Sequence, residues 1–157
     1  MHRKWTHNER SAREAIGFTT IEILIALVII GLIASFAMPA FARTVAADRV
    51  RRAQFVIAGD VERAFQFAAR VRKPVTINLT SSTGAFSVAD RASGTAYYQR
   101  DLSSSGAYAL TSASITPSGG ITIFPTGLAS GALTITLTNN AFSKTVTATI
   151  AGQVNKP

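Results

Sequence analysis

The chain predicts an α+β fold: a long N-terminal helix, membrane-spanning in its first half, packed through its second half on an antiparallel β-sheet. Three observations predict it. Ile23 to Ala42 is an uncharged apolar run, long enough to cross a bilayer as a helix. Val50, Ala53, Ile57, Val61, Ala64, Ala68 and Val71 recur at intervals of three and four, the period of an amphipathic helix. From Val75 the period switches to two, with turn residues between short apolar runs. One helix followed by strands alone is the order of an α+β domain, in which the sheet buries the helical stripe.

The first element is the apolar run with its flanks. Arg3, Lys4, Arg10 and Arg13 precede it, against Glu9 and Glu14, an excess that holds the leader in the cytoplasm and sends the rest across. Gly17-Phe18-Thr19-Thr20-Ile21-Glu22 forms the junction. A secretory signal core of roughly 7–15 residues is shorter than this run. An ordinary single-span anchor leaves Glu22 without a purpose, since an ionisable group near hydrocarbon costs roughly 2–3 kcal/mol unless paired. A soluble core helix would need some polar face, and the run has none.

Helical pattern continues from Phe18 to about Arg72, interrupted by Gly31 and Pro39 as candidate kinks, both tolerated in a membrane helix. The basic residues Arg49, Arg51, Arg52, Arg63, Arg70, Arg72 and Lys73 lie off the apolar stripe, with Asp48, Asp60 and Glu62 among them. Pairs such as Asp48 with Arg52 and Asp60 with Arg63 make this a solvated face first. A weak, salt-sensitive DNA contact through Arg49, Arg52, Arg63 and Lys156 is the alternative. Lys73-Pro74 stops the helix, because proline disfavours helical geometry in the residue before it.

Strands follow. Val75, Ile77 and Leu79 alternate with Thr76, Asn78 and Thr80, and Ser81 to Gly84 turns into Ala85–Val88. Residues 89–120 are rich in Ser, Ala and Gly, and read as loops with an edge strand near Ala96–Gln99. Ile121–Phe124 is a strand, Pro125-Thr126-Gly127 a turn, and Leu133–Leu137 with Thr145–Ile150 a hairpin closed near Asn139-Asn140. The expectation is one sheet with one face on the helix and the other in water.

The junction resembles the processing and assembly signal of type IV prepilins and type II secretion pseudopilins: a basic leader ending in Gly, then Phe, then Glu at the fifth mature position. That resemblance implies cleavage by prepilin peptidase between Gly17 and Phe18, N-methylation of Phe18, and filament assembly through Glu22. A carboxylate from one subunit neutralises the amine of its neighbour, a cation that the helix dipole disfavours where it lies. The segment Ile121-Thr122-Ile123-Phe124-Pro125-Thr126-Gly127, with the following hairpin and Gly152-Gln153-Val154, is similar to the C-terminal domain of the GspH/FimT family.

The pilin-like organisation implied is a cleaved cytoplasmic leader over 1–17, a helix over 18–73 crossing the bacterial inner membrane at about 21–42, and a periplasmic sheet domain over 74–157. The implied function is that of a type II secretion minor pseudopilin in protein export, the alternative being a FimT-like type IV minor pilin in pilus assembly or DNA uptake. Partners are other pilin or pseudopilin subunits, the peptidase and the membrane. Nucleic acid is not expected, because the DNA-binding members carry Gly-Arg-x-Arg where this chain reads Gly152-Gln153-Val154-Asn155, leaving Lys156 as the tail's cation.

The composition argues against an enzyme. With no cysteine in the chain, and its histidines, His2 and His7, both in the leader, the usual nucleophile, general base and imidazole ligands are missing. Asp60 and Glu62 point to different faces of a helix, and no glycine-rich loop carries the Lys-Ser/Thr of a phosphate site. Neither cofactor nor metal is expected.

Overall fold

The structure, a computed structural model, describes residues 18–81 and 84–157, so Gly17 and the basic leader lie outside the described residues. The chain divides into two units, Met1–Pro39 and Ala40–Pro157. Helix α1 runs from Thr20 to Val71, 52 residues. It starts with Thr19 as N-cap, whose hydroxyl accepts the Glu22 N–H at 3.2 Å, satisfying one of the free donors of the first turn. Thr19 and Glu22 have the spacing of a capping box, and a carboxylate in that turn suits the helix dipole. Helical conformation is kept through both Gly31 and Pro39.

Within the second unit the expected stripe is the buried one. Val50, Ala53, Ile57, Val61, Ala64 and Ala68 are fully buried, with Ala58 and Phe65 widening the stripe. Val71 is half-buried, and Arg72 turns into the left-handed region at φ 54° before Lys73-Pro74. Full burial of a Val, Ile or Phe side chain contributes about 1.5–3 kcal/mol, and the face of the helix that carries these residues forms one core with the strands.

The strands are β1 (Val75–Thr80), β2 (Ala85–Asp90), β3 (Ala96–Asp101), β4 (Ser112–Thr116), β5 (Ile121–Ile123), β6 (Leu133–Asn139), β7 (Phe142–Ala148) and β8 (Val154–Asn155). They make two antiparallel sheets of four strands, β3-β2-β1-β5 and β4-β6-β7-β8, where one sheet was expected. The physical reason lies in β5. It is cut to three residues by the turn at Pro125, pairs with β1, and closes the first sheet before β6 begins. Residues 128–130 then stitch the sheets together: Ser130 N–H donates to Thr122 carbonyl and Ala129 N–H to Ile150 carbonyl, each at 2.8 Å.

Alternation places Val75, Ile77 and Leu79 of β1, and Leu133, Ile135 and Leu137 of β6, in the core. The edge strand expected near Ala96–Gln99 is β3, at the end of its sheet. β4 falls in the stretch read as loops, with Ala113 and Ile115 inward. Leu102 and Leu110, from the connection before β4, are buried with the core.

Candidate assembly interface

The most exposed apolar surface is the first part of α1. Phe18, Leu24, Leu27, Ile30, Ile33 and Phe36 are among the side chains left more than half exposed. This helix is long and apolar enough to cross a membrane, and none of the qualifying segment is buried within the chain. Packing cannot explain such a surface in water, where every exposed Leu or Ile forfeits its burial energy. Glu22, the one acid in the first turn, stands exposed beside it. Phe18 is 78% exposed, so the residue after the expected cleavage point is accessible.

Two charged clusters hold the sheet domain in shape. Asp60, expected to pair with Arg63, does so at 3.6 Å, but its main partner comes from β3. The Arg100 guanidinium grips both carboxylate oxygens, Nη2 donating to Oδ1 at 3.0 Å and Nε to Oδ2. Tyr98 donates its hydroxyl to the Asp60 carbonyl at 2.5 Å. Asp60 is 1% exposed, and the forked pair offsets the cost of burying its carboxylate. Burial, aided by the Asp60 charge, pushes the Tyr98 hydroxyl up in pKa, and its bond to Asp60 holds Arg100 protonated. Glu62, two residues on, is exposed, so the two acids do face apart.

Asp90 organises the turn after β2. Its Oδ1 accepts the N–H groups of Ala92 at 2.7 Å and Ser93 at 3.0 Å, and its Oδ2 the Tyr97 hydroxyl at 3.0 Å. The Ser93 and Ala92 bonds, then Tyr97, hold its carboxyl below the ordinary range, with Lys73 adding attraction. Because the folded carboxyl titrates below the unfolded one, its stabilisation is complete above about pH 4 and fades as pH falls through the folded pKa. Asp90→Asn keeps the amide bonds but not the titration. Its denaturation midpoint, measured from pH 5 to pH 2, is expected to fall less steeply than that of the parent chain.

Of the cations expected as a DNA contact, Arg49 is exposed on α1, three residues before Arg52. Arg52 is held by Asp48 at 2.6 Å, and Arg63 sits with Asp60 and Tyr98. Lys156 lies over the Phe55 ring, its Nζ 5.1 Å from the centroid, with the Arg51 guanidinium 6.0 Å from the same centroid. Lys144 and Gln54 complete that depression. Arg51 and Phe55 stand one helical turn apart on α1, and the tail reaches them from the end of the chain. Buried Gln54 accounts for it, donating through Nε2 to Thr145 carbonyl at 2.7 Å and Pro157 carbonyl at 3.0 Å. Among the described residues no group of three His, Cys, Asp or Glu could hold a metal ion.

No protein-family model matches the chain, and no curated protein does. Among solved structures it is similar to the type IV minor pilin FimU of Pseudomonas aeruginosa (strain PAO1) in two crystal forms. The first has a TM-score of 0.58 at 16% identity, covering 70% of this chain and 89% of that one. The second has a TM-score of 0.55 at 16% identity, covering 68% of this chain and 91% of that one. At that identity the likeness is one of architecture: a long N-terminal helix on antiparallel sheets, the fold of a type IV pilin.

Proposed function

We propose that the chain is a single-pass minor subunit of a pilin-type filament, anchored in the bacterial inner membrane and working by assembly. The observation that carries this is the exposed apolar start of α1, with Glu22 in its first turn, on a chain of pilin fold. Prepilin peptidase cuts between Gly17 and Phe18, and the new amine of Phe18 is methylated. Residues of about 21–42 cross the membrane, Gly31 and Pro39 are where the helix can bend under packing, and 74–157 lie in the periplasm. Glu22 pairs with a neighbour's N-terminal amine in a medium of low dielectric and so sets the stagger between subunits.

The pseudopilus of a type II secretion system is the filament assigned first, on the GspH/FimT-like C-terminal sequence. A type IV minor pilin is the second reading, favoured by the fold likeness to FimU. Glu22→Ala is expected to insert normally and to lose co-assembly with partner pilins, measured by crosslinking in membranes. Glu22→Gln separates charge from helix capping, since glutamine also serves at the third helical position. Loss in both variants supports the intersubunit ion pair, whereas normal assembly of Glu22→Gln would sink it. Deleting the chain and scoring export against pilus formation and DNA uptake tells the two filament systems apart.

A further inference from the structure

We propose that the tip of the β6–β7 hairpin, Asn140-Ala141, together with Arg43, rests on the anionic headgroup layer of the membrane that the apolar run crosses. This rests on the single-span reading above. Ala40, Phe41 and Ala42 end the run and are exposed, and Arg43 is the first charge after it. Ala42, Arg43 and Ala46, within about one helical turn, line one depression with Asn140, Ala141 and Phe142. The hairpin tip therefore lies beside the turn of α1, Ala42 to Ala46, that follows directly on the end of the apolar sequence. The opposite end of the domain, beyond Val71, is about 42 Å further along at 1.5 Å per residue.

The tip is braced against neighbouring strands and loops of the second unit. Asn139, 6% exposed, donates through Nδ2 to the Ala109 carbonyl at 2.9 Å. The N–H of Asn140 donates to the Thr111 hydroxyl at 3.2 Å, and that of Thr111 to the Thr138 carbonyl at 2.9 Å. Asn140 holds the turn at φ 52°, which asparagine tolerates, while its side chain and Ala141 stay exposed. The chemistry suits phosphate headgroups. Arg43 is exposed and can fork onto a phosphate, the tip carries no acid, and the next acid along the helix, Asp48, is neutralised by Arg52. Phe142 turns its ring toward the core behind them.

The chain has no cysteine, so single cysteines accept one fluorophore each. We would label the full chain at Ala141→Cys, at Ala34→Cys in the middle of the run, and at Ser93→Cys in the exposed turn beside Pro74. Each would be reconstituted in phosphatidylglycerol–phosphatidylcholine vesicles carrying nitroxide either on the headgroup or within the acyl chain. Ala34 is expected to be quenched by the acyl-chain nitroxide, Ala141 by the headgroup nitroxide, and Ser93 by neither. Arg43→Gln should lower the ratio of quenched to unquenched label at Ala141 by up to about fivefold in anionic vesicles, the worth of one cation at such a surface. If Ala34 is quenched but Ala141 behaves as Ser93 does, docking is overturned with the span intact, and the depression is free for a neighbouring copy. If Ala34 escapes the acyl-chain nitroxide, the span reading fails and this proposal with it.

Discussion

Replacing Arg100 by methionine is expected to lower the stability of the folded chain by about 3 kcal/mol, because it leaves a buried carboxylate without its main partner. Asp60 is 1% exposed and receives both prongs of the Arg100 guanidinium. Arg63 remains 3.6 Å away, but its side chain is 71% exposed and its attraction is weakened by water. The effect is a lower urea midpoint in detergent at unchanged slope, since the surface exposed on unfolding stays the same. Asp60→Leu combined with Arg100→Met should recover most of the loss, as replacing both charges removes the desolvation cost with the attraction. A double variant as unstable as the single one would mean that the pair contributes more than mutual neutralisation.

Gly120→Ala is expected to cost about 3 kcal/mol, from two sources. Gly120 sits at φ +72°, where a Cβ costs roughly 1–2 kcal/mol. The added methyl would also overlap the carbonyl oxygen of Ile77 and approach the Asn78 side chain to 2.6 Å. Ile77 is backbone of β1, paired with Ile121 at the start of β5, so the strand has to shift, and such overpacking costs roughly 1–3 kcal/mol. Gly127, at φ +82° with nothing within 4 Å of its would-be Cβ, isolates the conformational share. Gly127→Ala should therefore destabilise by about half as much, and equal losses in the two variants would show that the contact with β1 relaxes freely.

What was legible in the sequence was what repeats or lies close along the chain. The apolar stripe on α1, the alternation in β1 and β6, and the Asp48–Arg52 pair are local patterns, and each has the expected burial or partner, save that Val71 at the end of the stripe is half-buried. The β6–β7 hairpin was legible too, but the division of the strands into two sheets was not. Ser112-Ala113-Ser114-Ile115-Thr116 buries only Ala113 and Ile115, a faint alternation, and its partner β6 lies beyond an intervening strand of the other sheet. The same limit applies to the charged clusters. Asp60 has an obvious neighbour three residues on, whereas its principal partner is 40 residues away, and nothing local distinguishes Arg100 from other surface arginines. The assembly candidates Glu22 and Phe18 were the reverse case, conspicuous by their position at the start of an apolar run.

The ends of the two sheets also bear on how the chain behaves when concentrated. Each sheet has one margin formed by a very short strand, β5 with three residues and β8 with two. Of the longer margins, β3 is thrown out of register against β2 at Val88/Ala89, and β4 runs directly into Pro117. Short, bulged or proline-ended margins offer a foreign strand few free N–H and C=O groups in a row. Precipitates of the chain should therefore be amorphous, detergent-reversible clumps glued by greasy helices, and they should lack the cross-β order of fibrils.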